Sequence, residues 1–228
     1  MKKILPLLIA VLMLMSACGK TTTKQDSGLK PLPAPVVDTD SQFGVDKNIN
    51  MNTIDEYLGR DDVAYRDVRM LFDPADYASI GGDADLSKTI EGFKVVPYPY
   101  IATLGALPVA NAYTGDNLFT VNWNADGTIA GVEENYRESM MILEELFPKD
   151  KAIFLMCGGG GYAGMMKTLL LYLGWDESKV YNVGGNWEYK GENTLELVVY
   201  PEDAADDNIL ATWRADYAYL DFSHLHKK

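Results

Sequence analysis

Apolar residues form two kinds of run in the second half of the chain, and these runs predict a strand followed by a helix. The continuous apolar run Ala152–Met156 predicts a buried strand, because a strand covered on both faces has no polar alternation. The stretch Met165–Leu173 has apolar residues at helical spacing and predicts a helix that ends at Gly174. Between them lie Cys157 and four consecutive glycines, Gly158, Gly159, Gly160 and Gly161.

The remaining pattern predicts short elements on both sides of this unit. Strands are predicted at Val63–Val68, Phe93–Val96, Val180–Val183 and Leu195–Tyr200, and helices at Thr53–Leu58, Glu133–Phe147 and Asn208–Tyr219. The runs Leu118–Trp123 and Thr128–Val132 alternate around a turn that ends at Gly127, which predicts a β-hairpin. Strands that alternate with helices predict a single α/β domain, with an open parallel sheet flanked by helices and the hairpin as an insertion.

The N-terminus has the pattern of an export signal. Residues 1–17 combine two lysines, an apolar run of 12 residues, Ile4–Met15, and the small pair Ser16-Ala17. Met15 to Cys18 resembles the lipobox of bacterial lipoproteins, which implies cleavage before Cys18 and lipid on its sulfur. An ordinary signal peptide with an incidental cysteine is the alternative. The expected location is therefore the bacterial cell envelope, outside the cytoplasm.

Composition after the signal separates a tether from a domain. Residues 18–50 are rich in Thr, Ser, Lys and Pro, which predicts a flexible, lipid-anchored linker. The domain is expected at 51–228, with its core at about 51–190 and a C-terminal extension at 191–228. The formal charge of −13 becomes −15 when the two lysines of the signal are removed. This acidity excludes nucleic acid as a partner and leaves the lipid anchor as the only membrane attachment.

Cys157 is the strongest candidate for chemistry. With Cys18 lipidated it has no disulfide partner, and a lone thiol in an exported protein points to reactivity. Its place between a strand and a helix N-terminus, followed by glycines, predicts inward-facing backbone amides that favour the thiolate. A buried apolar cysteine is the alternative, but packing alone is not expected to require four glycines. The predicted ligand is a small anion: sulfane sulfur, thiosulfate, sulfonate, phosphate or arsenate.

Four segments of the chain resemble the rhodanese-like sulfurtransferase family. They are Tyr65–Arg69 with its Asp-x-Arg motif, Ile90–Pro97, Phe154–Gly164 around Cys157, and Leu170–Trp187 with its Gly-Gly pair. The resemblance implies a rhodanese-like fold in which Cys157 accepts a sulfane sulfur as a persulfide, from a donor of the thiosulfate or 3-mercaptopyruvate type, and passes it to a thiol. It implies that Gly158 to Tyr162 donate amides to substrate, that Asp67 and Arg69 form a structural ion pair, and that no cofactor or metal takes part.

The sequence departs from the family pattern in the loop. Many members have Arg at the fifth position after the cysteine and Ser or Thr at the sixth, where this chain has Tyr162 and Ala163. A non-enzymatic module that binds a partner or an anion is therefore the alternative function. A phosphatase or arsenate reductase would need an arginine at position 163 and ranks lower.

Three further features have mainly structural interpretations. The segment 98–132 is long enough to be a lid, although extra packing is the more common role of such an insertion. The carboxylates of Asp73 and Asp76 are expected to be solvated. His224 and His226 are expected in a frayed tail rather than at a metal.

Overall fold

Four parallel strands form the central sheet of the computed structural model, which describes residues 29–70, 73–82, 86–105, 109–196 and 220–228. The strands along the chain are β1 (Val63–Asp67), β2 (Lys88–Ile90), β3 (Lys94–Val95), β4 (Phe119–Trp123), β5 (Ile129–Glu134), β6 (Ala152–Cys157), β7 (Val180–Gly185) and β8 (Thr194–Glu196), and the α-helices are α1 (Tyr98–Ile101), α2 (Ser139–Leu146) and α3 (Gly161–Tyr172). The sheet has the order β3-β1-β6-β7. All of these elements belong to the unit Pro33–Lys228.

The sheet confirms the predicted parallel α/β core. All six residues of β6 are buried, as the unbroken apolar run predicted. β6 pairs with β1 from Val63↔Ala152 to Asp67↔Met156, and with β7 on its other side. The carboxyl ends of β1 and β6 therefore lie together, and this brings Asp67 next to the end of the strand that bears Cys157.

The hairpin of β4 and β5 is confirmed, and it packs into the main core. Leu118, Phe119 and Val121 are buried in the same apolar cluster as Cys157 and α3. The indole nitrogen of Trp123 donates to the Thr103 carbonyl at 3.0 Å, which ties the hairpin to the chain after α1. The described part of the 98–132 insertion therefore acts mainly as packing.

Two predicted helices are shorter than the sequence pattern indicated. The prediction of a helix over Glu133–Phe147 is wrong at its start, because β5 extends to Glu134 and pairs there with Phe119. α2 begins only at Ser139, whose hydroxyl accepts from the Tyr136 amide and donates to the Leu118 carbonyl. The predicted capping box at Thr53 is also absent, since its hydroxyl donates to the Asn48 carbonyl and only a 3-10 turn follows.

The segment 33–50 differs from the expected flexible linker. Ile49 is fully buried, and the buried carboxylate of Asp46 accepts from the amides of Val36, Asn48 and Ile49 at 2.6–2.8 Å. The Asp46 amide in turn donates to the Asn182 carbonyl at the edge strand β7. The folded unit therefore begins at Pro33, because buried hydrogen bonds fix this polar segment despite its composition.

The C-terminal residues also differ from the expected frayed tail. The Arg137 amide donates to the His226 carbonyl, and the Lys228 amide donates to the Asn135 carbonyl. The His226 ring lies 2.7 Å from the Glu138 carboxylate. The end of the chain is therefore docked along the link between β5 and α2.

Several predictions fall on residues outside the described part. These are the signal peptide 1–17, Cys18, the first part of the expected linker, the strand 195–200 after Glu196, and the helix at 208–219. In the ranges that the structure describes, no helix has the length and apolar character needed to cross a membrane.

Replacing Asp46 tests whether 33–50 belongs to the fold. Asp46→Ala leaves three amides without their acceptor and should lower the free energy of unfolding in urea by about 3 kcal/mol. The exposed Asp40→Ala is the matched control and should change it by less than about 0.5 kcal/mol. Equal, small losses from the two variants would show that this segment is a tether.

Candidate functional site

The turn after β6 surrounds the sulfur of Cys157 with backbone amides. The Gly160 amide donates to Cys157 Sγ at 3.1 Å, and the amides of Ala163 and Tyr162 lie near enough to lower the pKa of the thiol. Gly160 has φ +93°, and α3 begins directly after it at Gly161, one turn earlier than the apolar spacing predicted. The left-handed residue folds the chain back, so that the first turn of the helix points its free amides at the sulfur.

Burial determines the protonation of this sulfur. Cys157 is only 3% exposed, and burial raises the pKa of its thiol. The amides of Ala163, Gly160 and Tyr162 lower that pKa, the nearby charge of Asp67 raises it, and the net change is a raised pKa. The amides therefore act in the predicted direction, toward the thiolate, but burial is the largest single effect and the pKa stays above its ordinary value.

Asp67 and Arg69 form an ion pair beside the cysteine strand. Arg69 Nη2 lies 2.6 Å from Asp67 Oδ2, and Arg69 Nε donates to both carboxylate oxygens. The Thr89 hydroxyl donates to Asp67 at 2.7 Å, while Arg69 Nη2 also donates to the Lys88 carbonyl. Because β2 is tied to the end of β1 in this way, the pair has a structural role.

A cavity of about 60 Å³ opens beside Cys157 and the glycine turn. Most of its described walls are apolar or aromatic: Phe43, Met70, Tyr77, Ile80, Val109, Tyr162 and Trp187. Arg69 and Asp73 are the only charged side chains among the described lining residues. The insertion contributes only Val109 to that described lining, so the hairpin is not a lid over this cavity.

Asp73 joins two tyrosines at the cavity wall. The hydroxyls of Tyr162 and Tyr77 donate to the same oxygen of Asp73, at 2.8 and 3.0 Å. Burial raises the pKa of both phenols, so both remain protonated donors. The expectation of a solvated Asp73 is therefore wrong, and the side chain of Tyr162, expected only as a loop amide, supports this carboxylate.

The glycines are needed for packing as well as for the turn. A Cβ on Gly158 would lie 2.6 Å from the indole of Trp187, and one on Gly159 would lie 2.9 Å from it. The Trp187 amide donates to the Gly158 carbonyl at 3.1 Å, which fixes the indole over the turn. A Cβ on Gly185 would lie 2.1 Å from that carbonyl, so β7 can approach the turn only with glycine there. The expectation that packing alone does not explain the glycines is therefore wrong for Gly158 and Gly159.

Phe43 brings the N-terminal segment to the same cavity. Its φ of +62° is unusual for a bulky residue, and the Asn182 side chain holds its carbonyl at 2.8 Å. A Cβ on Gly164 would lie 2.7 Å from the same carbonyl, so α3 passes Phe43 closely. The strained residue is therefore clamped between α3 and β7, with its side chain on the cavity.

Sequence reasoning missed Phe43, Asp73 and Tyr77 as site residues. Asp73 and Tyr77 are four residues apart, but residues 73–76 are not helical, so helical spacing could not have predicted their contact. For Phe43 the only signal was an aromatic residue within a polar segment.

Comparison with known proteins yields no relatives. No protein family model, no curated protein and no solved structure matches the chain. Within the described ranges, no cluster of three or more His, Cys, Asp or Glu residues is arranged to hold a metal ion.

Adding a methyl group at Gly158 tests the packing of the turn. Gly158→Ala forces its new Cβ against Trp187 and should lower the free energy of unfolding by about 2 kcal/mol. Gly131→Ala, whose Cβ would meet only Asn122 at 3.8 Å, is the control. In a Trp187→Ala background the cost of Gly158→Ala should fall below about 1 kcal/mol. An unchanged cost there would show that the indole is not the obstacle.

The pH dependence of alkylation tests the protonation of Cys157. Because burial raises its pKa, the rate of reaction with iodoacetamide should keep rising as the pH passes 9.0, the ordinary value for a thiol. The same protein unfolded in urea is the control and should level off at a lower pH than the folded form. A folded-state plateau below about pH 8 would show that the amides outweigh burial.

Proposed function

We propose that the protein is a sulfurtransferase that transfers a sulfane sulfur through a persulfide on Cys157. The proposal rests on one observation, the hydrogen bond from the Gly160 amide to Cys157 Sγ within a turn whose amides converge on the sulfur. These donors belong to the backbone, so they need no rearrangement when charge develops on a sulfur at this position.

The proposed transfer takes two displacements at sulfur. In the first, Cys157 Sγ bonds to the sulfane sulfur of a donor, the donor's own bond to that sulfur breaks, and the electron pair leaves with the donor. In the second, an acceptor thiolate attacks the outer sulfur and regenerates Cys157. Neither step needs an external oxidant or reductant.

The placement of the four rhodanese-like segments supports this function. They contain the adjacent strands β1, β3, β6 and β7 of the central sheet, and the Asp-x-Arg pair lies at the end of β1, next to the cysteine strand. Segments that are far apart in the sequence thus meet at the carboxyl ends of the parallel strands, where ligand sites of open α/β sheets form.

The proposal includes a location at the cell envelope. Lipid on Cys18 would anchor the protein outside the cytoplasm, and the residues between Cys18 and Pro33 would remain as the tether, shorter than the sequence suggested. Attachment through acyl chains fits the acidic composition, which an anionic membrane surface would otherwise repel.

A binding module without catalysis is the second candidate, and the raised pKa of Cys157 favours it. A thiol that stays protonated is a weak nucleophile, and the loop has no arginine to attract an anionic donor. The phosphatase or arsenate reductase function is less suitable, because position 163 is occupied by an alanine that is fully buried.

Intact mass spectrometry tests the enzymatic proposal. The folded protein is exposed to thiosulfate, 3-mercaptopyruvate and an organic persulfide, and the mass should increase by one sulfur atom with at least one donor. Cys157→Ser should abolish the increase, and a thiol acceptor such as 2-mercaptoethanol should reverse it. If none of these donors places sulfur on Cys157, the proposal is contradicted and the binding module becomes the better supported function.

A further inference from the structure

The cavity next to Cys157 is poorly suited to a doubly charged donor. Arg69 is the one cationic side chain in its described lining, and Asp67 holds that guanidinium through Nε and Nη2. Asp73 adds a second carboxylate to the same surroundings, and its donors, two phenols and the Ala75 amide, are all neutral. A dianion would have to leave water for a site whose charged groups sum to a net negative charge.

The entrance to the cavity is apolar and exposed. Phe43, Ile80 and Trp187 line it and are 45%, 49% and 38% exposed, which is high for side chains of this size. Tyr77 packs edge-on against Trp187 and against Tyr162, so aromatic rings continue inward from the entrance. Such a surface favours an organic group over a hydrated inorganic ion.

The protonation of Cys157 points to the same donor class. Exchange with a persulfide that has an uncharged R group needs no net charge to enter the buried site, because the proton that Cys157 gives up as it attacks ends on the leaving thiol. The Sγ atom bonds to the outer sulfur of R–S–SH, the S–S bond breaks, and its electron pair and the Cys157 proton leave on R–SH. The sum is Cys–SH + R–S–SH → Cys–S–SH + R–SH, in which atoms and electrons balance.

We infer that the sulfur donor of this site is a small organic persulfide whose R group has no negative charge. The R group would lie against Tyr77, Tyr162 and Trp187, and an amine on it would be attracted by Asp73 and by the aromatic faces. This inference rests on the proposed sulfurtransferase function and specifies its substrate class.

Three persulfides with R groups of similar length test the effect of R-group charge on loading separately from the effect of size. They are prepared from propanethiol, cysteamine and 3-mercaptopropionate, whose R groups are neutral, cationic and anionic. Loading of Cys157 is followed by mass spectrometry, and each rate is divided by that of the same persulfide with 2-mercaptoethanol to remove intrinsic reactivity. The neutral and cationic compounds should load Cys157 at least about tenfold faster than the anionic compound.

Two carboxylate variants test the role of Asp73. Asp73→Asn keeps an oxygen for the two phenols but removes the charge, and it should reduce the cation-to-anion rate ratio several-fold. Asp76→Asn is the control, since Asp76 is exposed, three residues away and not part of the described lining. A ratio that Asp73→Asn leaves unchanged would overturn the assignment of Asp73.

The outcomes separate this inference from the proposed function. If the anionic persulfide or thiosulfate loads Cys157 as fast as the neutral compound, the substrate class is overturned while sulfur transfer stands. If none of the donors loads Cys157, the sulfurtransferase function itself fails.

Discussion

The arrangement of this site depends on a balance at one atom, the sulfur of Cys157. Burial removes it from water and disfavours its charge, while the amides of the turn direct their positive ends at it. In the resting protein desolvation is the largest single effect, and the pKa of the thiol is raised. The sulfur is therefore a buried thiol among hydrogen-bond donors, and in the proposed transfer its proton leaves with the donor's sulfur.

Keeping the sulfur in this position requires contributions from distant parts of the chain. Trp187 covers the turn and requires glycine at 158 and 159, while β7 approaches it closely only because residue 185 is also glycine. Phe43 reaches the cavity from a segment that the sequence suggested was a linker, and Asp46 fixes that segment through three amides. The turn is thus supported by segments that precede and follow β6 in the sequence.

The sequence predicted those parts of the fold that depend on local pattern. The unbroken apolar run of β6, the alternation of the hairpin and the helix after the glycines follow from side-chain periodicity and were located well. Helix starts were less predictable, since a tertiary hydrogen bond from Ser139 to the Leu118 carbonyl and the pairing of β5 with β4 decide where α2 begins. Polar composition wrongly indicated a flexible linker at 33–50, because a single buried carboxylate can order a polar segment.

Only some features of the candidate site could be predicted from the sequence. The cysteine and its turn could be recognised from residue types and spacing, whereas the Asp67–Arg69 pair was expected only from the family resemblance. The protonation of Cys157 could not, because desolvation depends on side chains far apart in sequence that bury the sulfur. The role of Asp73 was equally unpredictable, because it depends on a hydrogen bond from Tyr162, which lies 89 positions later in the sequence.

The backbone amide spectrum of the protein before and after loading with sulfur tests the central claim most directly. If the turn holds the transferred sulfur, the amide resonances of Gly160, Tyr162 and Ala163 should show the largest shifts in the heteronuclear NMR spectrum, and Cys157→Ser should show none. Sulfur bound to Cys157 with those three resonances unmoved would contradict the account.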